Sequence, residues 1–180
     1  MILIVNICKE GLHYYEFVKP IEDILRKGEV EFFTKSYLDI DEKDLKKAEK
    51  VIICGTSLKD EEFVKNSAEF SWVPDFDKPL LGICGGLQII SILNGGDLKK
   101  GEEIGFYLEK FKKPYLGLED SVEVYHLHNN YIDFFWGREF EVFCGGAFIQ
   151  AVKHKGREIY GVLFHPEVRN KKMILEFVRK

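Results

Sequence analysis

The sequence has few of the residues that mark several common protein classes. It contains four cysteines in 180 residues, and they form no C-x-x-C pair. This pattern argues against a zinc ribbon or a disulfide framework and suits a reducing compartment. Five prolines and a hydrophobic content of 46% argue against disorder. We therefore expect one folded, cytoplasmic domain over residues 1–180.

Concentrated charge and long apolar runs are also missing. The formal net charge is −4 and the lysine pairs are short and scattered, so no basic surface for a nucleic acid is predicted. Residues 80–93 are apolar but are interrupted by glycines, Gln88 and Ser91, so they do not predict a membrane span. Residues 1–8 lack a basic lead-in and a cleavage site, and we interpret them as a strand. We expect neither a nucleic acid nor a membrane as a partner.

The sequence does contain a regular alternation of strands and helices in its first half. The predicted strands there are 2–7, 30–34, 51–54 and 80–83, and the predicted helices are 14–27, bent near Pro20, and 39–50. Such alternation is typical of a parallel sheet covered on both faces. Further strands are predicted at 105–112, 121–125, 141–144, 148–154 and 159–164, with a closing helix at 169–179. The predicted fold is an α/β, flavodoxin-like three-layer sandwich with a mostly parallel central sheet and a partly antiparallel extension.

A cysteine stands between the predicted strand 80–83 and a short apolar helix. Residues 82–88 read Gly-Ile-Cys-Gly-Gly-Leu-Gln, and the helix stops at Asn94-Gly95-Gly96. Glycines on both sides remove side chains that would clash in the strained turn known as a nucleophile elbow. Cys84 would face the positive end of the helix, which favours the reactive thiolate. By itself, the turn is equally compatible with a buried structural cysteine.

A histidine and a carboxylate follow the last predicted strand. Residues 165–167 read His-Pro-Glu, so Glu167 can hold one imidazole nitrogen of His165 while the other faces a thiol. A thiol nucleophile needs such a base, and the base needs a group that fixes its tautomer. The order Cys…His-x-Glu therefore favours nucleophilic catalysis over a structural cysteine.

The residues 82–88 and 161–167, Gly-Val-Leu-Phe-His-Pro-Glu, together resemble the class I (triad) glutamine amidotransferases. The resemblance covers nearly the whole chain, and in size and motif order it is most similar to the free-standing glutaminase subunit of archaeal GMP synthetase. It implies a triad of Cys84, His165 and Glu167, glutamine as substrate, no cofactor, and a synthetase subunit on another chain that receives the ammonia. Residues 6–11 lack the segment typical of that subunit, so a different amidotransferase stays open.

The resemblance also implies an oxyanion hole and substrate contacts. The oxyanion donors would be the backbone of Gly85 and of the turn Gly55-Thr56. Thr56 stands where the family usually has a second glycine, and a β-branched residue restricts the backbone there. Gln88 lies one helical turn after Cys84 on the same face. The implied substrate contacts are Gln88, Leu127, His128, Asn129 and Asn130.

Two further features are assigned no catalytic role. His126 and His128 would share one face of a strand and offer two metal ligands, but no third ligand has suitable spacing, so no metal is expected. The aromatic run Phe134-Phe135-Trp136 is interpreted as part of the core or of an interface.

Three alternative functions stay open at this point. The first is a hydrolase of γ-glutamyl conjugates, with the same triad and a roomier pocket. The second is a regulatory subunit that keeps the fold and has an impaired site, with Thr56 as its signature. The third is a cysteine-elbow protein of the parallel-sheet class without a working triad.

Overall fold

The computed structural model of the chain describes residues 1–133 and 139–180. Its strands are β1 (Ile2–Asn6), β2 (Phe32–Ser36), β3 (Lys50–Ile53), β4 (Leu80–Ile83), β5 (Asp97–Lys110), β6 (Ser121–Asp133), β7 (Phe140–Gly145), β8 (Ile149–His154) and β9 (Ile159–Val162). Its α-helices are α1 (Gly11–His13), α2 (Lys19–Lys27), α3 (Glu42–Lys47), α4 (Glu62–Lys65), α5 (Gly85–Leu93) and α6 (Lys171–Arg179). The aromatic run 134–136 lies outside the described residues.

A seven-stranded sheet forms the centre of the molecule, in the order β2-β1-β3-β4-β9-β8-β7. The strands from β2 to β9 in this order pair in parallel, and β8 and β7 extend the sheet antiparallel. The central position of β9 places its carboxyl end beside that of β4. This confirms the predicted mostly parallel sheet with an antiparallel extension.

Helices cover both faces of the central sheet. Successive residues of a strand point to opposite sides, so each strand contributes side chains to the cores on both faces. Ile2 and Ile4 of β1 face a core built with α2 and α6. Leu3 and Val5 of the same strand face a second core that contains Leu87 of α5. The result is the predicted three-layer sandwich, in which a strand buried on both faces reads as an unbroken apolar run.

The first helical region changes its helix type just before Pro20, where a bend was predicted. Residues Tyr14–Val18 form a π-helical segment, and α2 follows it with Pro20 in its first turn. Proline is tolerated there because the first helical N–H groups have no acceptor within the helix. The widened π turn places the Phe17 ring 5.3 Å from the His165 ring, centroid to centroid. This segment therefore reaches the region where the predicted triad lies.

Two early elements differ from their predicted bounds. Strand β2 begins at Phe32 rather than at residue 30, because the Val30 N–H still bonds the Leu25 carbonyl at the end of α2, at 2.9 Å. Helix α3 is shorter than the predicted 39–50, since Asp41 caps it together with Asp44 in a capping box. Lys50, expected at the helix end, belongs to β3 and pairs with Ile2.

The hairpin of β5 and β6 forms a separate two-stranded antiparallel sheet. Both strands are longer than predicted, since β5 starts at Asp97 instead of 105 and β6 runs to Asp133 instead of 125. Helix α4 and a following 3-10 turn, Ser67–Phe70, occupy a segment for which no element was predicted. In the described part of the chain, no helix is long and apolar enough to cross a membrane.

Candidate active site

Cys84 occupies a strained turn between β4 and α5. Its backbone has φ 48° and ψ −102°, a combination that side chains with a Cβ rarely adopt. The turn is tight because α5 packs directly on β3: a Cβ added at Gly86 would lie 2.3 Å from the Ile53 carbonyl oxygen. The cysteine thus has the predicted elbow geometry at the carboxyl edge of the sheet.

His165 and Glu167 follow the neighbouring strand β9. The His165 Nδ1 atom lies 2.7 Å from Glu167 Oε1, and each side chain is only 1% exposed. Burial alone would lower the pKa of His165, but the charges of Glu167 and Cys84 outweigh it and raise this pKa well above its usual value. The pair therefore favours an imidazolium whose orientation is fixed by a carboxylate.

The other ring nitrogen of His165 is left for the cysteine. Within the described residues, His165 Nε2 is buried and has no hydrogen-bond partner. Gly55 lies against both side chains: a Cβ added there would be 2.6 Å from His165 Cε1 and 3.3 Å from Cys84 Cβ. The glycine therefore lets the thiol and the imidazole lie side by side, and the three triad candidates form one cluster.

The turn after β3 is organised by Asp60, a residue that was not predicted from the sequence. The Thr56 hydroxyl donates to Asp60 Oδ2 at 2.8 Å, and the Lys9 backbone N–H donates to the same oxygen at 2.8 Å. Both Thr56 and Asp60 are buried. The hydroxyl at the unusual position 56 thus has a structural partner. A carboxylate four residues after a threonine was the signal available in the sequence.

A small pocket opens in front of Cys84, with about 300 Å³ of empty space including its mouth. Among the predicted residues, Gly55, His165 and Glu167 do not line it. Its lining residues are Thr56, Ser57, Leu58, Asp60, Glu61, Phe63, Cys84, Gly85, Gln88, Leu127, His128, Asn129 and Asn130. The structure therefore gathers the predicted nucleophile, Thr56, Gly85 and all five predicted substrate contacts around one cavity.

Strand β6 supplies one wall of this pocket largely through its backbone. The Cys84 thiol donates to the Leu127 carbonyl at 3.7 Å, and the Gln88 side-chain amide donates to the Asn130 carbonyl at 3.4 Å. The Asn129 amide donates to the Leu58 carbonyl at 2.9 Å, which ties this wall to the segment after β3. These contacts use backbone carbonyls, so they do not depend on the side chains of Leu127 and Asn130.

The imidazole of His128 contacts a carboxylate on the other strand of the hairpin. Its Nε2 atom lies 3.0 Å from Glu103 Oε2 on the neighbouring strand β5. Burial lowers the pKa of His128, an effect that the Glu103 charge partly opposes. Although His128 borders the pocket, its ring is thus committed to Glu103.

An apolar groove adjoins the pocket and shares Ser57, Leu58 and Leu127 with it. It encloses about 890 Å³ of empty space, including open solvent. Its other lining residues are His13, Glu16, Phe17, Lys59, Tyr125 and Val168. The pocket is thus continuous with a wider, more apolar surface.

One protein family matches most of the chain. The family model described as glutamine amidotransferase class-I matches residues 14–180. This span contains the elbow, the pocket and the residues after β9.

Curated relatives match over a shorter part. The glutamine-hydrolysing subunit of GMP synthase from Methanosphaera stadtmanae is 34% identical over 103 residues, which cover 53% of this chain and 55% of the relative. The protein of the same description from Thermoplasma volcanium is 33% identical over 121 residues, 62% of this chain and 58% of the relative. The chain thus covers little more than half the length of these relatives.

Solved structures match over nearly the full chain. A crystal structure of a Thermoplasma acidophilum protein, provisionally described as a GMP synthase subunit, gives a TM-score of 0.86 at 23% identity and covers 99% of this chain and 92% of that one. A glutamine amidotransferase of Thermotoga maritima gives a TM-score of 0.69 at 21% identity, covering 99% and 80%. At these identities the likeness establishes the fold.

Proposed function

Because the chain belongs to the glutamine amidotransferase class-I family, we propose that it is a glutaminase subunit that hydrolyses glutamine through Cys84, His165 and Glu167. The observation that carries the proposal is the buried His165–Glu167 pair at 2.7 Å, whose second ring nitrogen is free beside the elbow cysteine. A structural cysteine needs neither an oriented base nor a strained backbone.

In the proposed reaction, the Cys84 thiolate attacks the side-chain amide carbon of glutamine. The backbone N–H of Gly85 and those of the turn Gly55-Thr56 stabilise the oxyanion of the tetrahedral intermediate. The His165 imidazolium then gives its proton to the departing nitrogen, and ammonia leaves. A γ-glutamyl thioester remains on Cys84.

Water completes the cycle. Neutral His165 takes a proton from the attacking water, the C–S bond breaks, and glutamate and the thiolate are released. Glu167 keeps the imidazole in one orientation throughout. Gln88 and the segment Leu127–Asn130 hold the glutamine in the pocket. No step needs a metal or a cofactor.

The ammonia acceptor in this proposal is a synthetase subunit on another polypeptide. The relatives from Methanosphaera stadtmanae and Thermoplasma volcanium are both glutamine-hydrolysing subunits of GMP synthase, so the synthetase subunit of that enzyme is the first partner to test. The apolar groove beside the pocket provides a surface near the site of ammonia release.

The test measures glutamate release from glutamine by the wild type and by Cys84→Ala, each assayed alone and then with a candidate synthetase subunit. Release that disappears with Cys84→Ala supports the glutaminase. Release that persists in Cys84→Ala rejects Cys84 as the nucleophile. Stimulation by the synthetase subunit identifies it as the partner, and its absence directs the search to other synthetases.

A γ-glutamyl-conjugate hydrolase is the second candidate, because the groove of about 890 Å³ continues from the pocket and offers room for a larger leaving group. Parallel assays with glutamine and a γ-glutamyl conjugate compare the two substrates directly. A higher kcat/KM for the conjugate would favour this alternative. A wild type inactive on both substrates, even with its partner, would favour the regulatory subunit.

A further inference from the structure

A second cluster of chemically reactive side chains lies on the β5–β6 hairpin, next to the pocket that His128 borders. Among the described residues, Glu103, His126 and His128 form a group whose potential ligand atoms all lie within 4.8 Å of one another. Glu103 and His128 are direct cross-strand partners in the hairpin register. Both imidazole side chains are 0% exposed, and Glu103 is 17% exposed. The cluster is therefore buried and reached by solvent only along Glu103.

The potential ligand atoms of these three side chains lie close together, and one of them has no hydrogen-bond partner. His128 Nε2 lies 3.0 Å from Glu103 Oε2, and His126 Nδ1 lies 3.7 Å from the same oxygen. Within the described residues, His126 Nδ1 is buried and has no hydrogen-bond partner. An unpartnered buried nitrogen is costly, and this one faces a carboxylate oxygen.

Neighbouring polar residues orient the side chains of this cluster, as they do around bound metals in other proteins. His126 Nε2 lies 3.2 Å from Glu109 Oε1, so Glu109 can accept the proton of that nitrogen and leave Nδ1 as a lone pair. Carboxylates commonly orient a metal-bound histidine in this manner. The Gln150 amide donates to Glu103 Oε2 at 2.6 Å. Its Oε1 atom is buried and has no partner in the described residues, so it can face a metal-bound water.

The distances are close to those that a metal requires. A zinc ion with bonds of about 2.1 Å holds tetrahedral ligands about 3.4 Å apart. The separations of 3.0 and 3.7 Å from Glu103 Oε2 bracket this value. Two imidazole nitrogens and one carboxylate oxygen, with an open fourth position, form a donor set typical of zinc.

From this geometry we propose that Glu103, His126 and His128 bind one zinc ion, with Glu109 and Gln150 as supporting residues. The sequence shows the two histidines, but their third ligand lies on the neighbouring strand and is brought in by the strand pairing. The bound ion would hold together the two strands of the hairpin, whose Leu127 and Asn130 carbonyls contact Cys84 and Gln88. The ion has no part in the proposed catalytic steps at Cys84.

The experiment loads the full-length protein with Zn²⁺ and measures the bound metal after removal of free ions. Cys84→Ala is used in parallel, because a reactive thiol beside a histidine can also bind zinc. We expect one zinc ion per chain in both proteins. X-ray absorption should show only nitrogen and oxygen neighbours, at about 2.0–2.1 Å. A sulfur neighbour at about 2.3 Å, or loss of zinc in Cys84→Ala, would place the metal at the thiol and overturn the proposal.

Variants locate the site. His126→Gln and Glu103→Gln should each weaken zinc binding by at least about 100-fold, since loss of a supporting residue alone costs roughly 10- to 100-fold. His154→Gln makes the same change on β8 and should bind as the wild type does. Circular dichroism without metal checks that each variant is folded. If a variant is unfolded, the X-ray absorption spectrum of the zinc-loaded wild type still decides the outcome. Unchanged affinity in a folded His126→Gln, or no zinc on the wild type, rejects the site.

Discussion

The pocket has two walls that are built in different ways. The elbow wall, formed by β4, α5 and the turn after β9, is covered on both sides by core side chains, and Leu81, Leu87 and Phe164 are completely buried. The hairpin wall, formed by β5 and β6, is a two-stranded sheet whose outer face is open to solvent. Ile104, Phe106 and Leu108 are among its large exposed side chains. A packed scaffold thus holds Cys84 and His165, and a less supported hairpin supplies backbone carbonyls to the pocket.

The two walls differ in how strongly the surrounding protein supports them. Strained geometry such as that of Cys84 persists only where the surroundings determine it strongly, and the elbow wall supplies that support. An isolated two-stranded hairpin is marginally stable in water. The hairpin therefore depends on contacts beneath it, including the Glu103–His126–His128 cluster.

The strongest test of the elbow wall replaces Cys84. Cys84→Ala should reduce glutamate release at least about a thousandfold, because the nucleophile is lost. Cys84→Gly should be equally inactive but more stable than Cys84→Ala by about 1 kcal/mol, since glycine accepts a φ of 48° without strain. Chemical denaturation of both variants measures the difference. Equal stability would show that the elbow is not strained.

The next largest effect concerns the oriented base. Glu167→Gln keeps the shape of the side chain but removes the charge that raises the pKa of His165. The imidazolium would then lose its proton at lower pH, so the alkaline limb of the kcat/KM profile should move to lower pH. The rate at the optimum should fall about 10²- to 10⁴-fold. An unchanged alkaline limb would show that Glu167 does not determine the pKa of His165.

The packing of the elbow wall is tested at Gly86. Gly86→Ala would place a Cβ 2.3 Å from the Ile53 carbonyl oxygen, so the free energy of unfolding should fall by about 1–3 kcal/mol. Gly146→Ala is the matched control, because a Cβ there meets no atom within 4 Å. Thermal denaturation compares the two. A similar effect in both would mean that α5 can move away from β3.

The turn after β3, which also lines the pocket, is tested at Thr56. Thr56→Val removes the hydroxyl that bonds Asp60 at 2.8 Å. We expect a loss of about 1–2 kcal/mol of stability and roughly tenfold lower kcat/KM from a displaced oxyanion donor. Thr56→Ser keeps the hydroxyl and should remain within about threefold of the wild type. Full activity of the valine variant would show that the Thr56 hydroxyl does not position this turn for catalysis.

The smallest effect is expected on the outer face of the hairpin. Leu108→Ala should change the free energy of unfolding by no more than about 0.5 kcal/mol, because this side chain is 73% exposed. Leu87→Ala, at a fully buried position of the elbow wall, should cost about 2–5 kcal/mol. Urea denaturation of both variants measures this contrast. A large loss in Leu108→Ala would show that the hairpin packs more closely than its exposure indicates.

The elbow wall could be predicted from the sequence because its chemistry is local. The glycines around Cys84 and the run His165-Pro166-Glu167 are each continuous in the chain, and each follows an apolar strand. A strand buried on both faces gives a clear apolar signal. The same signal predicted a mostly parallel sheet.

The hairpin wall could not be predicted to the same extent. The residues at the start of β5 include the exposed Lys99, Lys100 and Glu102, and on the side that packs only Leu98 is apolar and large, so no apolar alternation is visible. The link from Glu103 to His128 exists only in the register of the two strands. The role of Asp60 had only a local signal in the sequence, the nearby Thr56, because its second partner, Lys9, reaches it only after folding.

The position of β9 in the sheet has a consequence for how the site is made. Strand β4 pairs with β9 through Leu80–Ile159 to Ile83–Val162, partners that are 79 residues apart in the chain. During synthesis the cysteine leaves the ribosome well before the strand that carries the histidine and glutamate. Under the proposed mechanism, Cys84 has no base until β9 inserts beside β4, and the newly made protein is inactive until then. Reactivity therefore begins only with the step that closes the sheet.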